Sequence, residues 1–317
     1  MPYDGREIGK AEGDGMQEQA KPAFEAEARL VADCRNRLGE CCFEDPRDGN
    51  LWWTDIEGSC VWRMDRDGNT ARFMLPGRAG FILPRREPGF VIGFPKQLAL
   101  ADQSLSSFTR LHDVEPDLPQ TRINDAEVDP FGGIVFGTFD ETPQMEDRRP
   151  VASVYRLGPD GSLKRLFGDV IISNGLAFSP AGDIMYFADT PDGRIRRFRL
   201  GADFASLDEI EPLAGRDDAP GLPDGGTVDA DGSYWSARVW GGCAVRFDDR
   251  GRITARIDLP TKAPTCVTLG GAGRRRLFIT TLSTRHSAEE LTDVPFAGGV
   301  FAADIDRPGL EQRLCTL

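Results

Sequence analysis

Residues Val170–Asp189 read VIISNGLAFSPAGDIMYFAD, and this stretch decides the fold. Two short runs of apolar and aromatic residues, 176–178 and 184–188, flank the segment SPAGD. Pro and Gly in that order supply the fixed φ and the positive φ that a tight chain reversal needs. Apolar and aromatic residues of this kind favour β-strands. The stretch therefore predicts a β-hairpin, preceded by the polar pair Ser173-Asn174.

The same turn-and-strand unit recurs six times along the chain. The turn glycines lie 40 to 50 residues apart, at Gly49, Gly89, Gly132, Gly182, Gly232 and Gly273. A second hairpin signal follows each unit, so each repeat holds about four short strands, and helical periodicity is nearly absent. Such repeats are typical of propeller blades. We therefore predict an all-β, six-bladed β-propeller with four-stranded antiparallel blades around a central channel; a pair of β-sandwiches is the weaker alternative.

A ring of blades must close, and the segment before the first repeat offers the closing strand. We expect residues 26–33 to supply the outer strand of the last blade, beside residues 299–304. The propeller domain then spans residues 25–317. Residues 1–24 are rich in Gly, Asp and Glu, and are predicted to form a disordered tail.

Composition limits the classes of partner and compartment. The 317 residues carry 38 Lys and Arg against 51 Asp and Glu, a net charge of −13. Nucleic acid and anionic membranes need a basic face, so neither is expected as a partner. The seven cysteines are irregularly spaced and no export signal precedes them. Reduced thiols, a cytoplasmic location and a monomer or weak homo-oligomer are the simplest expectations.

One position of the repeat concentrates polar residues. Counting back eight or nine residues from each turn glycine, to the start of the innermost strand, gives Glu40, Gly80/Phe81, Asn124, Asn174, Asp224 and approximately Cys266. Asn or Asp beside Gly is common in turns, so Asn174 or Asp224 alone is best explained as a capping residue. Taken together, four oxygen-bearing side chains at one slot predict a site for a hard divalent cation at the channel mouth.

Several short motifs in fixed order carry a resemblance to a known family. They are Leu38-Gly39-Glu40, Arg122-Ile123-Asn124-Asp125, Val128-Asp129-Pro130-Phe131-Gly132, Gly137-Thr138, Ile172-Ser173-Asn174-Gly175-Leu176, Pro223-Asp224-Gly225 and Ala297-Gly298-Gly299-Val300-Phe301. In this order the chain resembles the SMP-30/gluconolactonase/regucalcin family of six-bladed sugar lactonases, from about Ala26 to its end.

The resemblance implies a site and a reaction. It implies that Glu40, Asn174 and Asp224 bind one divalent metal, and that Arg122 and Asn124 contact the substrate. Glu141 is a further candidate contact, with Asp140 as its alternative. The expected reaction is metal-dependent opening of the ester ring of a sugar-acid lactone, with Asp224 taking a proton from the attacking water. Oxygen ligands favour calcium or magnesium, while zinc, manganese and iron(II) stay open.

The chain departs from the family pattern beside the site, and other readings remain. Cys41-Cys42 stands where the family usually has Gly-Pro, Ala126 replaces a Gly, and Gly226 replaces a Met or Leu. Cys41 is either a thiolate ligand or, as we favour, a small buried residue. A non-enzymatic calcium-binding or interaction propeller is the main functional alternative, and a strictosidine-synthase-like lyase is a weaker one. Residues 140–150 are a candidate lid over the channel.

Overall fold

The structure, a computed structural model, describes residues 22–317, so residues 1–21 of the predicted tail lie outside the described part. The strands in chain order are β1 Phe24–Glu27, β2 Arg29–Ala32, β3 Gly39–Glu44, β4 Leu51–Asp55, β5 Cys60–Met64, β6 Thr70–Met74, β7 Phe81–Pro84, β8 Phe90–Phe94, β9 Gln97–Ala101, β10 Phe108–Asp113, β11 Thr121–Val128, β12 Ile134–Asp140, β13 Ala152–Leu157, β14 Leu163–Val170, β15 Ser173–Phe178, β16 Ile184–Asp189, β17 Ile195–Leu200, β18 Leu207–Ala214, β19 Leu222–Val228, β20 Tyr234–Val239, β21 Cys243–Phe247, β22 Ile253–Asp258, β23 Pro264–Gly270, β24 Arg276–Thr281 and β25 Val300–Asp304. Helical segments are four 3₁₀ turns, Met145–Asp147, Ala202–Phe204, Arg216–Asp218 and Ala272–Arg274, and one short helix, α1 Ala288–Asp293.

The strands form six sheets that follow one another around a channel. Blades 1 to 5 start with β3, β7, β11, β15 and β19, and each takes four consecutive strands; blade 6 takes β23 to β25 and borrows β2. The first strand of each blade is innermost, and neighbouring inner strands contact one another around the ring. All six turn glycines named above have positive φ. The prediction of a six-bladed propeller with four-stranded blades is confirmed.

The chain closes its ring with residues that precede the first blade. Strand β2 pairs antiparallel with β25, with Leu30 opposite Phe301, so residues 29–32 of the predicted segment 26–33 close the last blade, whereas Ala26 and Glu27 pair with blade 5. Strand β1, which the sequence did not predict, runs parallel to β22 and adds a fifth strand to blade 5. The N-terminal segment therefore ties blade 5 to blade 6.

The core lies between neighbouring blades, as wide apolar side chains fill the gaps between twisted sheets. Trp52 of blade 1 is 1% exposed, and its ring centroid lies 5.0 Å from that of Phe90 in blade 2. An aromatic pair of this geometry contributes about 0.5–1.5 kcal/mol beyond the burial of its area. Trp53 and Trp235 are equally buried, so these tryptophans hold blades together.

The segment after β25 crosses the end of the channel where the inner strands finish. Gln312 Nε2 donates to Glu127 Oε1 at 2.8 Å, and Arg313 Nη2 donates to the Ser179 carbonyl at 3.3 Å. Arg85 then holds the Leu317 carbonyl oxygen through two nitrogens. The opposite end, where the inner strands begin, is called the mouth below.

Two further expectations can be compared with the fold. All seven cysteines are free; Cys34 is half-buried and the other six are buried. Among residues 22–317 no helix has the length and apolar character that spanning a bilayer requires.

Candidate functional site

A β-bulge follows the start of five of the six inner strands. The pairing register shifts between Glu40 and Phe43, and at the equivalent place in β11, β15, β19 and β23. A bulge leaves residues unpaired and re-aims their side chains. In blade 2 the pairing of β7 with β8 is continuous, and this blade supplies none of the predicted site residues. The bulges therefore orient the side chains at the repeat position that the sequence identified.

Asn124 and Asn174 are joined across blades 3 and 4. Asn124 Nδ2 donates to Asn174 Oδ1 at 3.0 Å and to the Ser173 carbonyl at 2.8 Å. Asn174 Nδ2 donates to Thr190 Oγ1 at 2.8 Å, and that hydroxyl donates to the Pro223 carbonyl at 2.8 Å. Because the hydroxyl proton is committed to Pro223, Thr190 can only accept from Asn174. The amide oxygen of Asn174 is therefore held away from Thr190.

Glu40 and Asp224 lie near the start of the inner strands of blades 1 and 5. Asp224 Oδ1 is buried and has no hydrogen-bond partner in the described part of the chain. Burial first, and then repulsion by Asp224, raise the pKa of Glu40 well above its ordinary value. Burial, then the charge of Asp125, raise the pKa of Asp224, while Arg285 acts in the opposite direction. The charge of Asp224 thus reaches Glu40, while the sharing of one site by the two carboxylates stays a prediction.

An orphaned buried carboxylate oxygen, a second carboxylate and an oriented amide oxygen fit a hard divalent cation. Uncompensated buried oxygens are costly unless they are hydrogen-bonded or bound to a metal. Within the described chain, no three Asp, Glu, His or Cys side chains form a metal-binding group by themselves. The predicted set is compatible with this, because its third member is Asn174. The assignment of Glu40, Asn174 and Asp224 as ligands stays a prediction.

Arg122 lies beside the two asparagines and is almost completely buried. Its Nη1 donates to Asn124 Oδ1 at 2.5 Å, and its Nε donates to Glu141 Oε1 at 3.1 Å. Its Cζ lies 4.6 Å from the ring centroid of Phe139, a cation–π distance. Glu141 also accepts from Arg78 at 2.7 and 2.9 Å. Glu141 therefore fixes the Arg122 fork, and Arg122 orients Asn124.

The alternative acid, Asp140, serves the backbone of its own loop. Its oxygens accept from the amides of Thr142 and Arg149 at 3.0 and 2.8 Å and from the Thr142 hydroxyl at 2.7 Å. Glu141, which pairs with Arg122, is the better placed of the two candidates. Whether either contacts substrate stays a prediction.

For two residues of the site, Thr190 and Asp125, the sequence analysis predicted no role. Thr190 carries no signal beyond its place after β16. Asp125 stood beside Asn124 in the motif, and its Oδ2 accepts from the Leu176 amide at 2.9 Å, joining the bulges of blades 3 and 4. Burial raises the pKa of Asp125 to about 7.

Two of the departures from the family pattern, Cys41 and Gly226, have local explanations. Cys41 has φ 47°, in the left-handed region that glycine favours, and its Sγ contacts the Ile82 carbonyl within an apolar cluster. Burial raises the pKa of this thiol well above its ordinary value, which supports the buried-residue reading. A Cβ on Gly226 would lie 2.1 Å from Tyr234 Oη, so Tyr234 occupies the space that a larger residue 226 would need.

The comparisons with known proteins agree with this geometry. Residues 38–283 match the family described as SMP-30/Gluconolactonase/LRE-like region. The L-arabinolactonase of Azospirillum brasilense is 39% identical, covering 92% of this chain and 96% of the relative. The 6-deoxy-6-sulfogluconolactonase of Pseudomonas putida is 35% identical, covering 87% and 94%. The crystal structure of regucalcin from Agrobacterium tumefaciens, described as a calcium-binding protein, superimposes with a TM-score of 0.85 at 27% identity, covering 94% and 100%. The chain therefore belongs to the SMP-30/gluconolactonase/LRE-like family.

Proposed function

We propose that this protein is a hydrolase that opens the ester ring of a sugar-acid lactone with the help of one divalent metal ion, for which calcium is the favoured candidate. The observation that carries the proposal is the buried, unpartnered oxygen of Asp224, together with the raised pKa of Glu40 and the fixed Arg122–Asn124 unit. Relatives named as lactonases at 39% and 35% identity support the choice of reaction.

Glu40, Asn174 and Asp224 would hold the metal. When bound, a divalent cation supplies positive charge that polarises a lactone carbonyl and makes a water molecule easier to deprotonate. Three oxygen donors suit calcium or magnesium better than a thiolate-preferring metal.

The chain's own residues provide the proton transfer and the orientation. Asp224 accepts a proton from water as the water oxygen bonds to the carbonyl carbon of the lactone. The ester C–O bond of the ring then breaks, and the departing ring oxygen takes a proton and becomes a hydroxyl. Arg122 and Asn124 bind hydroxyl or carboxylate oxygens of the sugar acid, since a planar fork and an amide suit such groups. Glu141 holds Arg122 in place for this contact.

The test combines metal removal with one substitution. Protein stripped by a chelator should lose the opening of D-glucono-1,5-lactone and of L-arabinono-lactone, and added Ca²⁺, Mg²⁺, Mn²⁺ or Zn²⁺ should restore it. Asp224→Asn should lower kcat by about 10²–10⁴-fold, the usual contribution of a positioned acid or base. Asp231→Asn, an exposed turn acid of the same blade, is the matched control and should keep full activity.

Two results would contradict the proposal. Undiminished activity in Asp224→Asn would remove that carboxylate from the reaction. Tight calcium binding with no turnover of any sugar lactone would favour the non-enzymatic calcium-binding alternative, which uses the same carboxylates.

A further inference from the structure

Blade 2 has no polar side chain at the repeat position of the mouth, which falls there on Gly80 and Phe81. A Cβ on Gly80 would lie 2.5 Å from the Ile123 carbonyl oxygen and 2.6 Å from that of Asn124. Glycine therefore lets the start of this inner strand approach the inner strand of blade 3 closely. Arg78 precedes Gly80 by two residues, in the segment that joins β6 to β7. The close approach brings its side chain within reach of the candidate substrate residues of blade 3.

Arg78 joins carboxylates from two other blades. Its Nη1 and Nη2 donate to Glu141 Oε1 and Oε2 at 2.7 and 2.9 Å, a bidentate fork to blade 3. Its Nη1 also donates at 3.1 Å to Oε1 of Glu57, which lies in the turn between β4 and β5 of blade 1. Glu141 Oε1 in turn accepts from Arg122 Nε at 3.1 Å. These four side chains form a rim network that runs along the mouth from blade 1 to blade 3.

Glu141 retains the capacity to accept one more hydrogen bond. A carboxylate offers about four lone-pair sites, and the N–H groups of Arg78 and Arg122 occupy three of those at Glu141. The Glu141 side chain is 27% exposed, whereas that of Arg122 is 4% exposed. A donor that enters the mouth can therefore reach the Glu141 carboxylate from the solvent side. A sugar hydroxyl is such a donor, and because it also accepts hydrogen bonds it suits the neighbouring Arg122 as well.

The fork from Arg78 fixes the orientation of the Glu141 carboxylate. A single ion pair at a partly exposed site contributes little and holds no fixed geometry, whereas a bidentate guanidinium–carboxylate pair within a network does. Without Arg78, Glu141 would keep only the contact of Oε1 with Arg122, and its side-chain torsions would be free to turn the other oxygen away. The lone pair that faces the mouth would then lose its direction. Arg78 therefore acts on the mouth through Glu141.

We propose that Arg78 is a positioning residue of the candidate active site. Its fork holds the Glu141 carboxylate where it accepts from a ring hydroxyl of the substrate, while Arg122 donates to a neighbouring oxygen. This inference rests on the proposed lactonase function. Because the proposed reaction takes place at Asp224 in blade 5, the rim network of blades 1 to 3 recognises hydroxyls of the ring and takes no part in breaking the ester. Arg78 therefore contributes to substrate affinity and not to the chemical step.

The experiment compares two lactones that share a six-membered ester ring. D-glucono-1,5-lactone carries hydroxyls on that ring, and δ-valerolactone carries none. In the metal-loaded protein, Arg78→Gln should raise KM for D-glucono-1,5-lactone about tenfold and leave kcat within about twofold, because the lost interaction is equally strong in the ground state and the transition state. For δ-valerolactone kcat/KM should stay the same, since this lactone has no hydroxyl to donate to Glu141.

Further variants separate positioning from a merely structural role. Arg78→Lys keeps the charge but cannot form the bidentate fork, so it should lose less affinity than Arg78→Gln without matching the original protein. In a Glu141→Gln background, Arg78→Gln should change KM little, since the two side chains act as one unit. Arg196→Gln is the matched control. Arg196 makes the same kind of fork, to Glu209 at 2.7 Å through both nitrogens, on the two outer strands of blade 4, and its loss should leave the kinetics with both lactones unchanged.

Each outcome decides for or against the positioning role. If Arg78→Gln lowers kcat/KM equally for both lactones, or lowers kcat and leaves KM unchanged, the positioning role is wrong and the lactonase function stands. Additive effects of Arg78→Gln and Glu141→Gln on KM would show that Arg78 does not act through Glu141. If the metal-loaded protein opens no sugar lactone, both proposals are wrong. Melting temperatures of the variants within a few degrees of that of the original protein exclude misfolding as the cause.

Discussion

Thr190 decides which way the Asn174 amide faces. Its hydroxyl proton is committed to the Pro223 carbonyl, so it presents only lone pairs to Asn174 Nδ2. The amide oxygen must then lie on the other side, where Asn124 Nδ2 also donates to it. Thr190 therefore sets the donor atom of a candidate ligand, in the manner of partners that orient metal ligands elsewhere.

Removing this hydroxyl should weaken metal binding. Thr190→Val keeps the shape of the side chain but leaves Asn174 Nδ2 and the Pro223 carbonyl unpaired, so the amide can turn. We expect calcium affinity, measured by isothermal titration calorimetry, to fall about 10- to 100-fold. Thr190→Ser retains the hydroxyl and should bind calcium almost as well as the original protein. Equal affinity in Thr190→Val would show that Asn174 does not need this orientation.

At the scale of the element, the sequence predicted which position of each inner strand carries the polar side chains, but not the direction in which those side chains point. The turn glycines marked the end of each inner strand, so counting back from them found Glu40, Asn174 and Asp224. The bulges that follow these residues depend on how paired strands share hydrogen bonds, and a single strand's sequence does not contain that information. The same limit hid Asp125, whose partner is an amide in the next blade.

Contacts between strands also explain why Gly226 is tolerated. Tyr234 Oη donates to the Gly175 carbonyl at 2.9 Å, and the Tyr234 ring stacks on Tyr186 at 4.9 Å between centroids. The ring thereby fills the space above Gly226, where a Cβ would meet Oη at 2.1 Å. The position of the Tyr234 ring thus depends on the absence of a side chain at Gly226.

A double-mutant cycle measures this coupling. Gly226→Ala should lower the free energy of unfolding by about 1–3 kcal/mol, because the methyl group overpacks the site. In a Tyr234→Ala background the same substitution should cost almost nothing, although Tyr234→Ala itself is destabilising. Gly77→Ala, where nothing lies within 4 Å of the added methyl, is the control. Additive effects of Gly226→Ala and Tyr234→Ala in urea denaturation would contradict the coupling.

At the scale of the whole molecule, the period of the repeats was enough to predict the ring and its closing strand. It could not predict β1, because a parallel fifth strand on blade 5 has no counterpart in the repeat. The ring also brings charges together from distant parts of the chain, because acids of blades 1, 3 and 5 lie at the same mouth.

This convergence makes the metal-free protein sensitive to pH. The pKa values of Glu40, Asp125 and Asp224 are raised in the folded state, that of Asp125 to about 7, so the fold binds their protons more tightly than the unfolded chain does. Their contribution to stability is complete below about pH 4, the ordinary range of carboxyl groups, and is lost as the pH rises through the folded values. Asp102 has a pKa lowered to about 2, so its contribution to stability is present at pH 5 and above and is lost only as the pH falls further. It therefore does not change between pH 5 and pH 8.

Chelated protein should therefore melt at a lower temperature at pH 8 than at pH 5. Calcium should reverse the loss, and its stabilising effect should be larger at pH 8, because deprotonated carboxylates bind it and only the folded state offers the site. Differential scanning calorimetry at both pH values, with and without Ca²⁺, measures the four melting temperatures. Asp224→Asn should flatten the pH dependence and reduce the calcium effect, whereas Asp231→Asn should change neither. A chelated protein that is equally stable or more stable at pH 8 would show that burial does not raise the pKa values of these acids in the folded state.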